Sequence, residues 1–563
     1  MRMRNVPKFR KVPKGLGRHE PLRHPDHPRP TSRREFISQG FMAGGASVIL
    51  PSVFSLMANP KLAEAQSCGT STTLACDIQA AVQSCGITAG AGMIPFICFD
   101  LSGGGNIAGS NVLAGGPAGQ LDFLSVAGYN KLGLPGSMVP NSSTTSFVDS
   151  SLTLRYHSDS AHLRGIKTRF TNTTAMAQVT GTIIPALSQN DTNTNPHNPM
   201  YGIWAAGASG ALLNLIGTDS SVSGGNSMAP PGMIVVSAQP TKIADGNDTS
   251  GLVSTGQLGP LLGNNASDVT NVLESMKRIS DAKYGAVQAY TSAIPNGAAL
   301  QTAATTIQQC SYTKAAYLLN RYPNPSAVDP DVDPNIVGTG GIFQTAEYQQ
   351  SSDFQKTAAV MKLVVDGDAA AGTIQLDGFD YHTGDRATGE TRDFSAGQCI
   401  GAVLQYAAIM KKPVMIYVFS DGSLASDGQI DDSVAGRGKG VWTADNQNVA
   451  ATYWLIYNPA GKATTAQPSG IEASLQLGYF NPDGSQNTTS SPAGNNVPNL
   501  VQMVVLNYLA LHSANDLARW SNPNFWALTP GGATNNTIGT GSALSPLVMY
   551  NPLAGLTNGR IVG

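Results

Sequence analysis

Thr373-Ile374-Gln375-Leu376, then Phe394-Ser395-Ala396-Gly397-Gln398-Cys399-Ile400-Gly401-Ala402-Val403-Leu404-Gln405-Tyr406-Ala407-Ala408-Ile409-Met410-Lys411, then Val414-Met415-Ile416-Tyr417-Val418-Phe419 is the stretch that decides the fold. Ile400, Val403, Leu404, Ala407 and Ala408 recur at the spacing of one helix face, whereas the flanking runs are short and almost wholly apolar, as buried parallel strands are. Strand, helix and strand therefore follow one another within residues 373–419. Working outward, Met93 to Leu101, Met233 to Ser237 and Thr452 to Tyr457 read as further strands of the same kind. The expectation is an α/β fold, with a mostly parallel central sheet flanked by helices on both faces. Residues 188–199, 217–232, 245–268, 420–440 and 481–498 are rich in Gly, Asn, Ser, Asp and Pro and read as long loops, whether functional, adhesive or disordered.

The first 65 residues form a separate zone and are set aside before the fold is read. A basic leader broken by prolines runs into Ser32-Arg33-Arg34-Glu35-Phe36-Ile37. Paired arginines followed by a large apolar residue are the address of the twin-arginine export route, and Phe41 to Ala58 supplies the apolar region behind them. Ala63-Glu64-Ala65 then offers a cleavage site after Ala65. Phe41 to Ala58 is near the minimum length for a membrane span, but Gly44, Gly45 and Pro51 weaken such a helix, so no stable membrane anchor is expected once the leader is cut. The partner during export is the twin-arginine translocase, and the destination is the bacterial periplasm, the medium or the cell surface.

Removing 1–65 takes twelve basic and four acidic residues from totals of 34 and 36, leaving 22 against 32 and a formal charge of −10. Such a surface argues against nucleic acid and anionic membrane as partners, because both need clustered positive charge. Cys68, Cys76 and Cys85 crowd a segment over residues 66–92, where the spacing suggests a disulfide with Cys68 to Cys85 as first choice. Cys98, inside an apolar strand, and Cys399, inside a helix, read as buried thiols. Residues 93–563 are expected to form a single α/β domain with loop insertions; the oligomeric state is not legible.

Open α/β sheets bind ligands beyond the carboxyl ends of their strands. The first strand ends Phe99-Asp100-Leu101 and enters Ser102-Gly103-Gly104-Gly105-Asn106. The next runs into Asp377-Gly378-Phe379-Asp380-Tyr381-His382, and a third ends Ser420-Asp421-Gly422. Asp380 and His382 are two apart, so in extended chain they face the same side, and a carboxylate beside an imidazole suits Zn²⁺ or a similar divalent ion. An ordinary ion pair at a strand end is the alternative. Gly103 to Gly105 could bring backbone amides to an anion or could serve turn geometry alone. His197, in the polar stretch Asp191 to Asn198, is either a ligand or acid, or an exposed loop histidine. Asp329, Asp331 and Asp333 lack the glycine and closing Glu of a calcium loop. A Gly-x-Ser-x-Gly elbow, a P-loop and paired Cys-x-x-Cys are absent from the sequence, which disfavours serine-triad hydrolysis and nucleotide phosphotransfer.

Four segments together resemble the family known as domain of unknown function 1501: Phe99 to Asn111, Ser188 to Ala206, Gly378 to His382, and Val414 to Gly422. That family is similar to the alkaline phosphatase and sulfatase superfamily in fold and is often exported by the twin-arginine route. The resemblance implies that Asp100, Asp380, His382 and Asp421 gather a divalent metal ion (Zn, Mg or Ca). Two departures mark this chain as a divergent member. The acidic residue followed by Gly in the first glycine-rich loop is replaced by Asn106-Ile107-Ala108-Gly109, and a later Asp-His pair reads Asp445-Asn446. The expected function is an exported metal-dependent hydrolase of phosphate or sulfate esters, active or degenerate, with Ser102, Ser420 and His197 as candidate catalytic groups. The rival is a non-catalytic secreted or cell-surface protein that keeps the fold and uses its loops for contacts.

Overall fold

The computed structural model describes residues 90–140, 146–188, 196–254, 324–382, 384–467, 475–522 and 536–561, together with Phe525 and parts of 265–322. All of them fall in one compact unit within Ser52–Gly563. Among the described residues the strands are β1 (Phe96–Leu101), β2 (Val148–Leu152), β3 (Leu154–His157), β4 (Val179–Pro185), β5 (Leu213–Gly217), β6 (Thr241–Lys242), β7 (Ala369–Leu376), β8 (Val414–Ser420), β9 (Leu424–Asp431), β10 (Lys439–Asp445) and β11 (Ala451–Tyr457). Seven make the central sheet in the order β4, β11, β8, β1, β7, β5, β6. From β8 to β6 the pairing is parallel throughout. β11 runs antiparallel to both β8 and β4. The fold is α/β with a mostly parallel sheet.

Alternation along each central strand explains why helices cover both faces. Ile97, Phe99 and Leu101 of β1, with Ile416 and Val418 of β8, enter one apolar cluster. Phe96 and Cys98, with Met415, Tyr417 and Phe419, enter the other. The main helices in chain order are α1 (Ala161–Arg169), α2 (Met200–Ala205), α3 (Ser352–Asp366), α4 (Ala387–Met410) and α5 (Val497–His512). Leu163 of α1, Val360 and Val364 of α3, and Ile400 and Leu404 of α4 fill the first cluster. Tyr201 of α2 and Leu500, Val504 and Leu511 of α5 fill the second. Each such side chain, fully buried, contributes about 1.5–3 kcal/mol through area removed from water. The ends of α3 follow from its sequence: Ser351 caps the first turn by accepting from Phe354 N, and Gly367, in the left-handed region, closes the last. α1 and α4 meet through small residues. A Cβ on Gly397 would stand 2.1 Å from His162 O, so the two backbones approach as closely as glycine permits.

Several local expectations differ from the structure. Met233 to Ser237 forms no strand but two short 3₁₀ turns, Pro231–Met233 and Val236–Ala238. Pro230 and Pro231 lack the amide a ladder needs, and Val236 is 77% exposed. Residues 420–440 contain β9, which pairs antiparallel with β10 in a hairpin, and 245–268 contains the helix Gly246–Val253, capped by Asp245. Cys98 and Cys399 are free and buried. Cys310 is disulfide-bonded. Its partner, the expected Cys68 to Cys85 bridge, Arg33, Arg34 and the Phe41 to Ala58 stretch lie outside the described residues. Among the described residues no helix is long and apolar enough to cross a membrane.

Candidate functional site

β8, β1 and β7 are adjacent and in register, with Leu101 level with Leu376 on one side and Ser420 on the other. All three therefore release their chains at one level of the carboxyl rim. The glycine-rich segment after β1 is wedged between the other two exits. Ser102 N donates to Leu376 O (2.9 Å) and Phe379 N to Ser102 O (3.1 Å). On the opposite side Gly103 N donates to Asp421 Oδ1 (2.8 Å) and Gly105 N to Ser420 Oγ (2.8 Å). Two of the three glycine amides are thus spent on internal acceptors rather than turned to an anion. Gly103 has φ +117°, and a Cβ there would lie 2.7 Å from Asp380 N; only glycine fits this position without strain.

The four expected ligands separate into two pairs. Asp100 and Asp421 are both completely buried. Asp100 Oδ2 accepts from Ser227 N (2.7 Å), while its Oδ1 has no hydrogen-bond partner. Asp421 Oδ1 accepts from Gly103 N, and its Oδ2 from Asn226 Nδ2 (2.5 Å). Burial, and then the neighbouring Asp421 charge, hold the Asp100 carboxyl well above the usual carboxylate range. The loop carrying Asn226 and Ser227 roofs this pair, so the long 217–232 stretch closes over the strand ends.

Asp380 and His382 stand outside that roof. In Phe379-Asp380-Tyr381-His382 the odd positions are buried and the even ones turn outward, through a tight turn in which Tyr381 N donates to Phe379 O (3.0 Å). His382 Nε2 lies 2.7 Å from Asp380 Oδ1 and 3.9 Å from Asp445 Oδ2. The three side chains are 39%, 47% and 49% exposed. Ligand atoms of Asp380, His382 and Asp445 all lie within 4.8 Å of one another, the one such group among the described residues. Asp445 ends β10. Asn446 N, donating to Ser423 O (2.8 Å), ties that end to the segment after β8. One imidazole and two carboxylates suit Zn²⁺ or a similar divalent ion. Ligand atoms around such an ion stand about 3.3 Å apart, given bonds of about 2.0–2.2 Å, so half-exposed side chains reach that spacing by small rotations. Asp100 and Asp421 are not part of this group; their carboxylates have turned inward to amide donors.

Ser420 Oγ donates to Leu101 O (2.6 Å) and accepts from Gly105 N, which binds β8 to the exit of β1. Ser102 is half-buried and tied to β7 through its backbone. His197 is buried rather than exposed, with Nε2 3.2 Å from Leu187 O and its ring edge-on to Phe419. Burial pulls its imidazole down to about 4, so it is neutral at physiological pH. Asn226, Ser227 and Tyr381 went unremarked in the sequence because no motif carries them, and Asp445 was visible only as half of an altered pair.

No known family model matches the chain, and neither a curated protein nor a solved structure does.

Proposed function

We propose that the chain is an exported hydrolase of phosphate or sulfate esters with an alkaline-phosphatase-like fold, acting at the carboxyl rim of its sheet with a divalent cation held by Asp380, His382 and Asp445. The observation that carries this reading is the meeting of these three side chains, from two segments far apart in sequence, within 4.8 Å at that rim, where open α/β sheets bind their ligands. A bound divalent ion supplies positive charge that polarises an ester oxygen. His382, Asp380 and Asp445 hold the ion, and the outward pair shares one exposed face on which an ester can dock. Asp421 and the Gly103 amide brace the loop beneath. The roof formed by Asn226 and Ser227 keeps water from the Asp100 and Asp421 carboxylates. Export through the twin-arginine translocase, addressed by Arg33 and Arg34, belongs to the same proposal and places the protein in the periplasm or outside the cell.

A second reading, a non-catalytic secreted or surface protein, is favoured by one observation: the Ser420 hydroxyl is spent on Leu101 O and Gly105 N, leaving it no freedom to attack. The two are separated by assaying aryl phosphate and aryl sulfate hydrolysis with Zn²⁺, Mn²⁺, Mg²⁺ or Ca²⁺, comparing wild type with His382→Ala. The hydrolase reading expects cation-dependent turnover that falls by at least about 10²-fold in the variant, the scale on which removing one charge-stabilising group acts. Absence of turnover with every cation, alongside equal metal content in both proteins, removes it.

A further inference from the structure

Tyr381 lies between the two outward ligands Asp380 and His382, yet its own side chain is fully buried. Its Oη donates to Asp393 Oδ1 (2.8 Å) and accepts from Asn106 N (3.0 Å). Asp393, on α4 and 1% exposed, also accepts at Oδ2 from Asn111 Nδ2 (2.7 Å). The same Asn111 amide donates to Asn106 O (2.9 Å), and His162 Nε2 of α1 stands 3.7 Å from Asp393 Oδ1. One phenol therefore pins together the glycine-rich loop after β1, the segment after β7 and the first half of α4. The ring is held as firmly as the hydroxyl. It packs beside Phe379 at 6.1 Å between centroids, and a Cβ on Gly389 would meet its Cε2 at 2.9 Å.

We infer that Tyr381 and Asp393 are positioning residues for the cation site: anchored inward, Tyr381 fixes a tight turn of the backbone, in which its own N donates to Phe379 O (3.0 Å), and so sets where Asp380 and His382 stand on either side of it. Asp380 and His382 flank Tyr381 in the chain and both turn outward while it turns inward, so whatever immobilises Tyr381 restrains the pair. Groups hydrogen-bonded to metal ligands orient them, and losing one weakens metal binding about 10–100-fold; Tyr381 acts through the backbone instead, so its loss is expected at the lower end of that range. The inference rests on the cation-binding reading of Asp380, His382 and Asp445, and its test separates the two.

Co²⁺ is titrated into the full-length mature protein and followed by its visible d–d absorption, for wild type, His382→Ala, Tyr381→Phe and Asp393→Asn. Wild type is expected to bind Co²⁺ with a band that His382→Ala abolishes. Tyr381→Phe keeps every ligand and the ring, and is expected to bind about 10-fold or more weakly with an altered band, while still unfolding cooperatively. Asp393→Asn, which keeps the shape of the acceptor, should fall between the two. A Tyr381→Phe protein with wild-type affinity and spectrum overturns the inference, even if its melting temperature drops. If wild type itself shows no Co²⁺ band, the cation reading fails and the role at a cation site falls with it, while amide hydrogen exchange in the metal-free protein decides whether Tyr381 anchors residues 379–382. Residues 379–382 should then exchange about tenfold faster in Tyr381→Phe, the scale of one lost buried hydrogen bond, with β1 unchanged. Equal exchange in that segment overturns it.

Discussion

Replacing Gly103 by alanine tests the wedge that joins the three strand exits. The residue sits at φ +117°, where a side chain costs about 1–3 kcal/mol in backbone strain. Its new Cβ would also lie 2.7 Å from Asp380 N and 2.9 Å from Asp380 Cβ. The first of these is backbone and cannot swing away, so relief requires the β1 and β7 exits to part, at about 1–3 kcal/mol for overpacking. Together the substitution should cost about 2–6 kcal/mol. Gly104 provides the control. Its φ is similar, +114°, but a Cβ there meets nothing closer than Gly422 Cα at 3.3 Å, so Gly104→Ala should show the backbone cost with only slight crowding added. Guanidinium unfolding of the two variants against wild type, compared by midpoint at constant m, measures the difference. Equal midpoints for the two variants would refute the close approach of the glycine-rich loop to Asp380.

Acid should destabilise the protein between about pH 6.5, the unfolded histidine value, and pH 4. Burial pulls His157, His197 and His512 each down to about 4. In His512 one nitrogen accepts from Ile94 N while the other faces Tyr508 O, and in His157 one accepts from Asp159 N while the other faces Met138 O. A second proton would set donor against donor. The unfolded chain takes up protons that the folded one refuses, so stability is lost as pH falls, by about 2 kcal/mol per histidine at pH 5. Melting curves from pH 7 to 4.5 check this, and a flat profile contradicts it. Glu390→Ala should cost about 3–5 kcal/mol, because this buried carboxylate accepts from Arg386, Arg164 and Lys439, and Lys439 and Arg386 are themselves almost wholly buried. The loss should be insensitive to salt; a change under 1 kcal/mol in denaturant midpoint would show that the cluster relaxes to water.

The centre of the fold was legible because β1, β7 and β8 are apolar on both faces, and α4 carries a clear helical period between two of them. α5 was passed over for the opposite reason. Val497–His512 is buried nearly all round, Gln502 and Asn507 included, so no polar face marks it as a surface helix. β4 mixes Thr180, Gly181 and Thr182 into its run, and the two threonine hydroxyls are satisfied by Tyr550 Oη at 3.2 and 3.0 Å, a partner almost four hundred residues away that no local pattern reveals. β9 is buried only over its first three residues, and its Gly- and Asp-rich remainder reads as loop. At the rim, strand ends located the carboxylates, but their direction depended on where each strand stops. Asp100 is still inside β1 and turns into the sheet; Asp380 lies four residues past β7 and turns out. Asp445 reaches the same rim through a hairpin, a path that strand-end reading does not follow.

The most direct test of the central claim is anomalous diffraction from crystals of the mature protein grown with Mn²⁺ or Zn²⁺. A peak is expected at about 2.0–2.2 Å from the ligand atoms of Asp380, His382 and Asp445, lost in His382→Ala. A peak confined to Asp100 and Asp421, or no peak at the rim at saturating ion, would contradict it.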